Sequence, residues 1–155
     1  MKRISLALIF LFIYSASADS VRRTPQPVKL KFLPAETAPV GSAIEAKLEI
    51  EIDDGWHIFS EKPEIEGIKA TQVSLDPSDA YSVLKITFPK PVAVRSPIFQ
   101  KDLNFYQNKV TISMLLKAEV AGEIPVKGTL AFQACSDKLC LPPAKQVFSG
   151  IQVIR

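Results

Sequence analysis

Ile124-Pro125-Val126-Lys127-Gly128-Thr129-Leu130-Ala131-Phe132-Gln133-Ala134-Cys135-Ser136-Asp137-Lys138-Leu139-Cys140-Leu141-Pro142-Pro143 holds both cysteines of the chain and the alternating run that leads into them. Ile124, Val126, Gly128, Leu130, Phe132 and Ala134 share one parity, and Lys127, Thr129, Gln133 and Cys135 share the other. That is the period of a strand with one buried face. Ser136-Asp137-Lys138-Leu139 has the length and polarity of a four-residue hairpin loop. Such a hairpin sets Cys135 and Cys140 opposite each other, with Cα atoms roughly 4.5–5.5 Å apart, within reach of a disulfide. The parity predicts that Cys135 points away from the core, toward a surface that a partner thiol can reach.

Outward from this run the chain repeats the same pattern. Val28 to Leu33 alternates, as do Ile44, Ala46, Leu48, Ile50 and Ile52 against Glu45, Lys47, Glu49 and Glu51. Asp53-Asp54-Gly55 turns the chain into Trp56-His57-Ile58-Phe59. Short strands are predicted at 68–75, 82–88 and 92–95, and longer ones at 110–118, 123–135 and 145–154. Proline, Gly, Asp and Ser separate them. No capped stretch with a helical period is present. Eight or nine short strands and twelve prolines predict an all-β sandwich. An immunoglobulin domain with a buried inter-sheet disulfide does not fit, because that bridge joins strands far apart in sequence.

Residues 1–18 read as a secretory signal: Lys2 and Arg3, an apolar run from Ile4 to Tyr14, and Ala16-Ser17-Ala18 at the cleavage site. The run is too short for the ~20 residues that cross a bilayer. Residues 19–27 are polar and proline-bearing, a predicted flexible leader, and 28–155 form one domain. Cleavage removes two bases and no acid, leaving 17 basic against 16 acidic side chains and a net charge of +1. A nucleic-acid footprint is absent. Export places the thiols in an oxidising compartment, where a lone close pair can form a disulfide.

Two readings of the cysteine pair compete. A structural staple closing so small a loop contributes only ~2 kcal/mol in the chain-entropy model, and a staple joining distant strands would do more. Strained or exposed bridges are also the labile ones, so the redox-active reading is slightly favoured. His57, with Trp56 and Phe59 beside it, reads as a packed strand-edge histidine. A metal site needs three or four ligands, and no nucleophile-elbow motif supplies a serine for hydrolase chemistry. Phe105 and Tyr106, in Asn104-Phe105-Tyr106-Gln107-Asn108, read as aromatics in a polar loop: a strand start with one buried ring, or a lid over the sulfurs.

Cys135-Ser136-Asp137-Lys138-Leu139-Cys140-Leu141-Pro142-Pro143 resembles the C-(N/S)-D-x-x-C-L-P-P signature of the N-terminal periplasmic domain of the DsbD thiol:disulfide interchange family. Asp54-Gly55-Trp56-His57-Ile58-Phe59-Ser60 is similar to that family's D-G-W-H-(I/L)-(Y/F)-S strand. The likeness spans about Val28 to Val153. It implies an immunoglobulin-like β-sandwich with the cysteine pair on a hairpin near one edge. It further implies a pair, Cys135 and Cys140, that relays electrons from a membrane or thioredoxin-like reductant to periplasmic thioredoxin-fold proteins, with no cofactor or metal. By this resemblance Cys140 is the attacking sulfur, and Phe105 and Tyr106 match the family's cap loop, which shields the disulfide. The chain carries neither a membrane domain nor a thioredoxin-like domain, so its reductant is expected to be another polypeptide. Four residues separate the cysteines where some members have five. The competing expectation is an exported binding or adhesion module with a static disulfide.

Overall fold

The computed structural model describes residues 24–155. The expected signal and most of the leader fall outside the described residues. From Val28 onward the chain is built of strands, and among the described residues there is no helix.

The clearest alternation builds the centre of the first sheet. In β2 (Ala43–Ile52) every second side chain from Ile44 to Ile52 is buried, and β8 (Lys109–Ala118) does the same with Ile112, Met114, Leu116 and Ala118. The two pair antiparallel, with Leu48 opposite Ile112 and Ile44 opposite Leu116. β1 (Val28–Leu33) and β5 (Tyr81–Thr87) flank them in the order β1-β2-β8-β5. On the outer face Lys109 bridges Glu49 and Glu51 at 3.1 and 3.2 Å, a solvated arrangement with little bearing on stability.

Two further sheets, one of three strands and one of four, form the opposing layer of this immunoglobulin-like sandwich. β9 (Gly122–Phe132) runs between β11 (Ala144–Ile154) and β4 (Gln72–Leu75). β3 (Trp56–Phe59) and β7 (Lys101–Gln107) lie between β10 (Ala134–Ser136) and β6 (Val92–Ser96). The main core fills the space between the layers, with Leu48, Ile50, Met114, Val126, Leu130, Phe132 and Ile58 all contributing. Gly150 of β11 lies directly under the Phe32 ring of β1, 2.0 Å from where a Cβ would stand. The missing side chain lets β1 close over that edge.

Three expectations are corrected. The strand predicted over 123–135 is two strands in two sheets, because the chain changes sheet at Gln133. There the side-chain amide takes over from the ladder: Gln133 Nε2 donates to the Leu141 carbonyl at 3.1 Å, and its Oε1 accepts the Lys69 N–H at 3.2 Å. The strand predicted at 68–75 is only Gln72–Leu75. Residues 61–70 instead form a loop of Ω type, its ends held together by the Thr71 N–H donating to the Ser60 carbonyl at 3.2 Å. The third correction concerns Phe105 and Tyr106, which lie not in a polar loop but inside β7, paired with β3 and β6. Alternation fails there because the sheet is covered on both faces, so successive residues are both buried.

Candidate functional site

The hairpin forms as its spacing predicts. The Ser136 N–H donates to the Leu139 carbonyl at 2.8 Å, and the Ser136 hydroxyl accepts the Lys138 and Leu139 N–H groups, each at 3.3 Å. The Leu141 N–H returns to the Ala134 carbonyl at 2.8 Å. Within this turn Cys135 and Cys140 oppose each other with Cα atoms 4.0 Å apart, and their sulfurs are bonded. The hairpin hangs from β10, an edge strand held by β3 alone.

Both cysteines border one apolar cluster, and they differ in exposure. Cys135 faces away from the main core, as its parity predicts, yet it is only 1% exposed. A second apolar cluster covers that face: Phe59 from β3, Leu103 and Phe105 from β7, with Ile65, Ile68, Val94 and Phe99 packed around them. The expected open surface at Cys135 is therefore corrected. Period-2 reasoning found the right face but could not show that loops fold over it. Cys140, on the far side of the turn, is half-buried, and Leu139 beside it is exposed.

Two loops wall the second cluster. One is the Ω loop, whose Ile65 and Ile68 contribute apolar surface. Glu61 accepts the Tyr106 hydroxyl at 2.5 Å, and Glu64 accepts both the N–H and the side-chain amide of Asn104. The other is the turn Pro97–Gln100 between β6 and β7. It is closed by the Gln100 N–H on the Ser96 carbonyl at 2.9 Å, with Gln100 in the left-handed region at φ 56°. This turn delivers Phe99, half-buried.

The two aromatics expected to gate the site are thus separated by the pleat. Phe105 faces the sulfurs and forms the bed of the cluster, 4.9 Å from the Phe59 ring centroid. Tyr106 faces the main core, where burial first, then hydrogen bonding to Glu61 and that carboxylate's charge, push its phenol well above the ordinary range. The aromatic that is carried on a loop beside the cysteines is Phe99, which the sequence reading passed over. Its signal was Ile98-Phe99, two apolar residues in a stretch punctuated by Ser96-Pro97 and Gln100.

His57 stands opposite Cys135 across the β10–β3 ladder. Its ring lies on Phe105, centroids 4.0 Å apart and planes tilted by 53°. Burial lowers its pKa from the ordinary 6.5, with the Asp137 carboxylate acting in the opposite sense. The reading of His57 as packed against aromatics fits this geometry.

A search of the curated proteins finds no match to the chain. Among solved structures it is similar to the N-terminal domain of DsbD from Neisseria meningitidis in the reduced form, at 21% identity and a TM-score of 0.51. That match covers 78% of this chain and 82% of the other. It is similar also to the N-terminal periplasmic domain of ScsB from Proteus mirabilis, at 18% identity and a TM-score of 0.53, over 79% of this chain and 44% of the other. At these identities the likeness is one of fold. Residues 29–151 match the family profile described as "Thiol:disulfide interchange protein DsbD, N-terminal", and the chain belongs to that family.

Proposed function

We propose that this domain is a periplasmic thiol–disulfide exchange module, passing electrons from a membrane or thioredoxin-like reductant to thioredoxin-fold proteins through Cys135 and Cys140. The observation that carries the reading is the asymmetry of the bridge: one sulfur buried on an aromatic bed, the other half-exposed at the tip of a turn. In the reduced state Cys140 attacks a partner disulfide and forms a mixed disulfide. Cys135 then attacks Cys140, and the partner leaves as a dithiol, two electrons richer. The more exposed sulfur meets the partner first, which assigns attack to Cys140 and resolution to Cys135. Phe99 on its loop, seated edge-on against Phe59, shields the bridge between encounters, and Tyr106 fixes the neighbouring Ω loop through Glu61. Membership of the family supports this reading, and the ScsB domain whose fold it shares is a periplasmic one.

The experiment is capture. A Cys135→Ser variant attacks through Cys140 and cannot resolve, so it accumulates disulfide-linked to its partners, which are then identified. Capture of thioredoxin-fold proteins is the expected outcome, and no adduct under conditions where Cys140 is free and reduced would refute the proposal.

A second reading has an observation in its favour. The burial of Cys135 also suits a static hairpin bridge in an exported binding module. A reduction potential below about −300 mV would support it, whereas a value in the thioredoxin or disulfide-isomerase range supports the carrier.

A further inference from the structure

The exchange cycle leaves one chemical need unmet. In the reduced domain Cys135 lies among apolar groups, and a thiol in such surroundings keeps its proton and is a poor nucleophile. Phe59, Leu103 and Phe105, packed on it, have no group that accepts a proton. The residue directly opposite it in the antiparallel ladder is His57. Opposed residues project to the same face, with Cβ atoms roughly 4.5–5.5 Å apart, so the imidazole and the sulfur share one face of the sheet. The ring rests on Phe105, which belongs to the same cluster as Cys135. From β7 its neighbours are Phe105 and Gln107, both uncharged, and the charged group whose field reaches it is Asp137 on the hairpin.

We propose that His57 is the general base of the resolving step, taking the Cys135 proton as that sulfur attacks Cys140. The inference rests on the exchange reading above and adds to it a named route for the proton. The Cys135 S–H bond breaks and the proton passes to an imidazole nitrogen. The Cys135–Cys140 bond forms as the bond between Cys140 and the partner breaks. The electron pair leaves on the partner sulfur, and that thiolate is then protonated by the imidazolium or by water. Burial keeps the imidazole neutral and able to accept at neutral pH, and the Asp137 carboxylate stabilises the imidazolium once formed. When the domain is reduced, the same atoms run in reverse and His57 returns the proton to Cys135.

The test uses the reduced full chain and the aromatic disulfide 5,5′-dithiobis(2-nitrobenzoate). Attack by Cys140 releases one coloured thiolate, and resolution by Cys135 releases a second. In His57→Gln the second release is expected to slow relative to the first by about 100-fold at neutral pH, the ordinary size of a general-base contribution. In wild type the second rate levels off above the His57 titration, and in the variant it keeps climbing with pH. His57→Phe preserves an aromatic ring on Phe105 and is expected to show the same loss, which separates proton transfer from packing. A second release at the wild-type rate in either variant, or an unchanged pH profile, overturns the role of His57 and leaves the exchange reading standing. If wild type gives no release at all, the exchange reading itself falls.

Discussion

The Phe99 ring meets the Phe59 ring edge-on, with centroids 6.0 Å apart and planes at 74°. Such a pair is worth about 0.5–1.5 kcal/mol beyond its buried area, which sets how firmly the Pro97–Gln100 turn is held over the cysteine cluster. Phe59 is fixed in a strand, so the loop partner is the one free to move.

Phe99→Ala removes the mobile half of that pair. Reduction of the disulfide by dithiothreitol, followed under excess reductant, is expected to accelerate about 2- to 10-fold, the range equivalent to the energy of the ring pair. Global stability should fall by about 1–2 kcal/mol, the ring pair together with the half-buried area of the ring. An unchanged reduction rate would remove Phe99 from the shielding role.

Cys135→Ala and Cys140→Ala are each expected to abolish exchange and to leave a folded domain. The loop closed by the bridge is small, so its loss should cost ~2 kcal/mol in denaturant unfolding. An unfolded variant would show that the bridge is needed for the fold and would favour the static reading.

Tyr106→Phe deletes the hydroxyl that Glu61 accepts. A loss of about 1 kcal/mol is expected, with faster hydrogen exchange across residues 61–70. The folded phenol titrates above the unfolded value of 10, so its contribution is full below pH 10 and is lost as pH rises beyond it. Wild type should therefore weaken more steeply than the variant above pH 10 in pH-resolved melts.

Gly150→Ala places a methyl group inside the Phe32 ring. Relief requires β1 to lift from β11, and overpacking of this kind costs about 1–3 kcal/mol. A midpoint equal to wild type in chemical unfolding would mean that Phe32 turns aside freely.

The fold was legible wherever one face of a strand meets water. β2 and β8 alternate cleanly because the outer face of their sheet is solvated, and the hairpin was legible because four residues between two cysteines, three of them polar, leave little choice. β7 was not legible. Both its faces are covered, so Leu103, Phe105 and Tyr106 carry no period, and the segment read as a loop with aromatics. The same covering explains Cys135: parity says which face a residue takes, and only tertiary structure says what lies on it. Phe99 escaped notice because a lone aromatic in a turn has no pattern around it. His57 was recognised as a strand residue among aromatics, but its place opposite Cys135 depends on a register between segments far apart in the chain.

The crossing at Gln133 has a consequence for how the protein tolerates its own chemistry. The eleven-rung ladder of β9 and β11 ends before the sulfurs begin, and the short strand beyond it belongs to a different sheet. The cysteine turn is therefore mounted like a bracket on a wall, fastened at Gln133 and along β3. On the exchange reading, making and breaking its bond is expected to alter the bracket alone and to leave the frame of the sandwich unchanged.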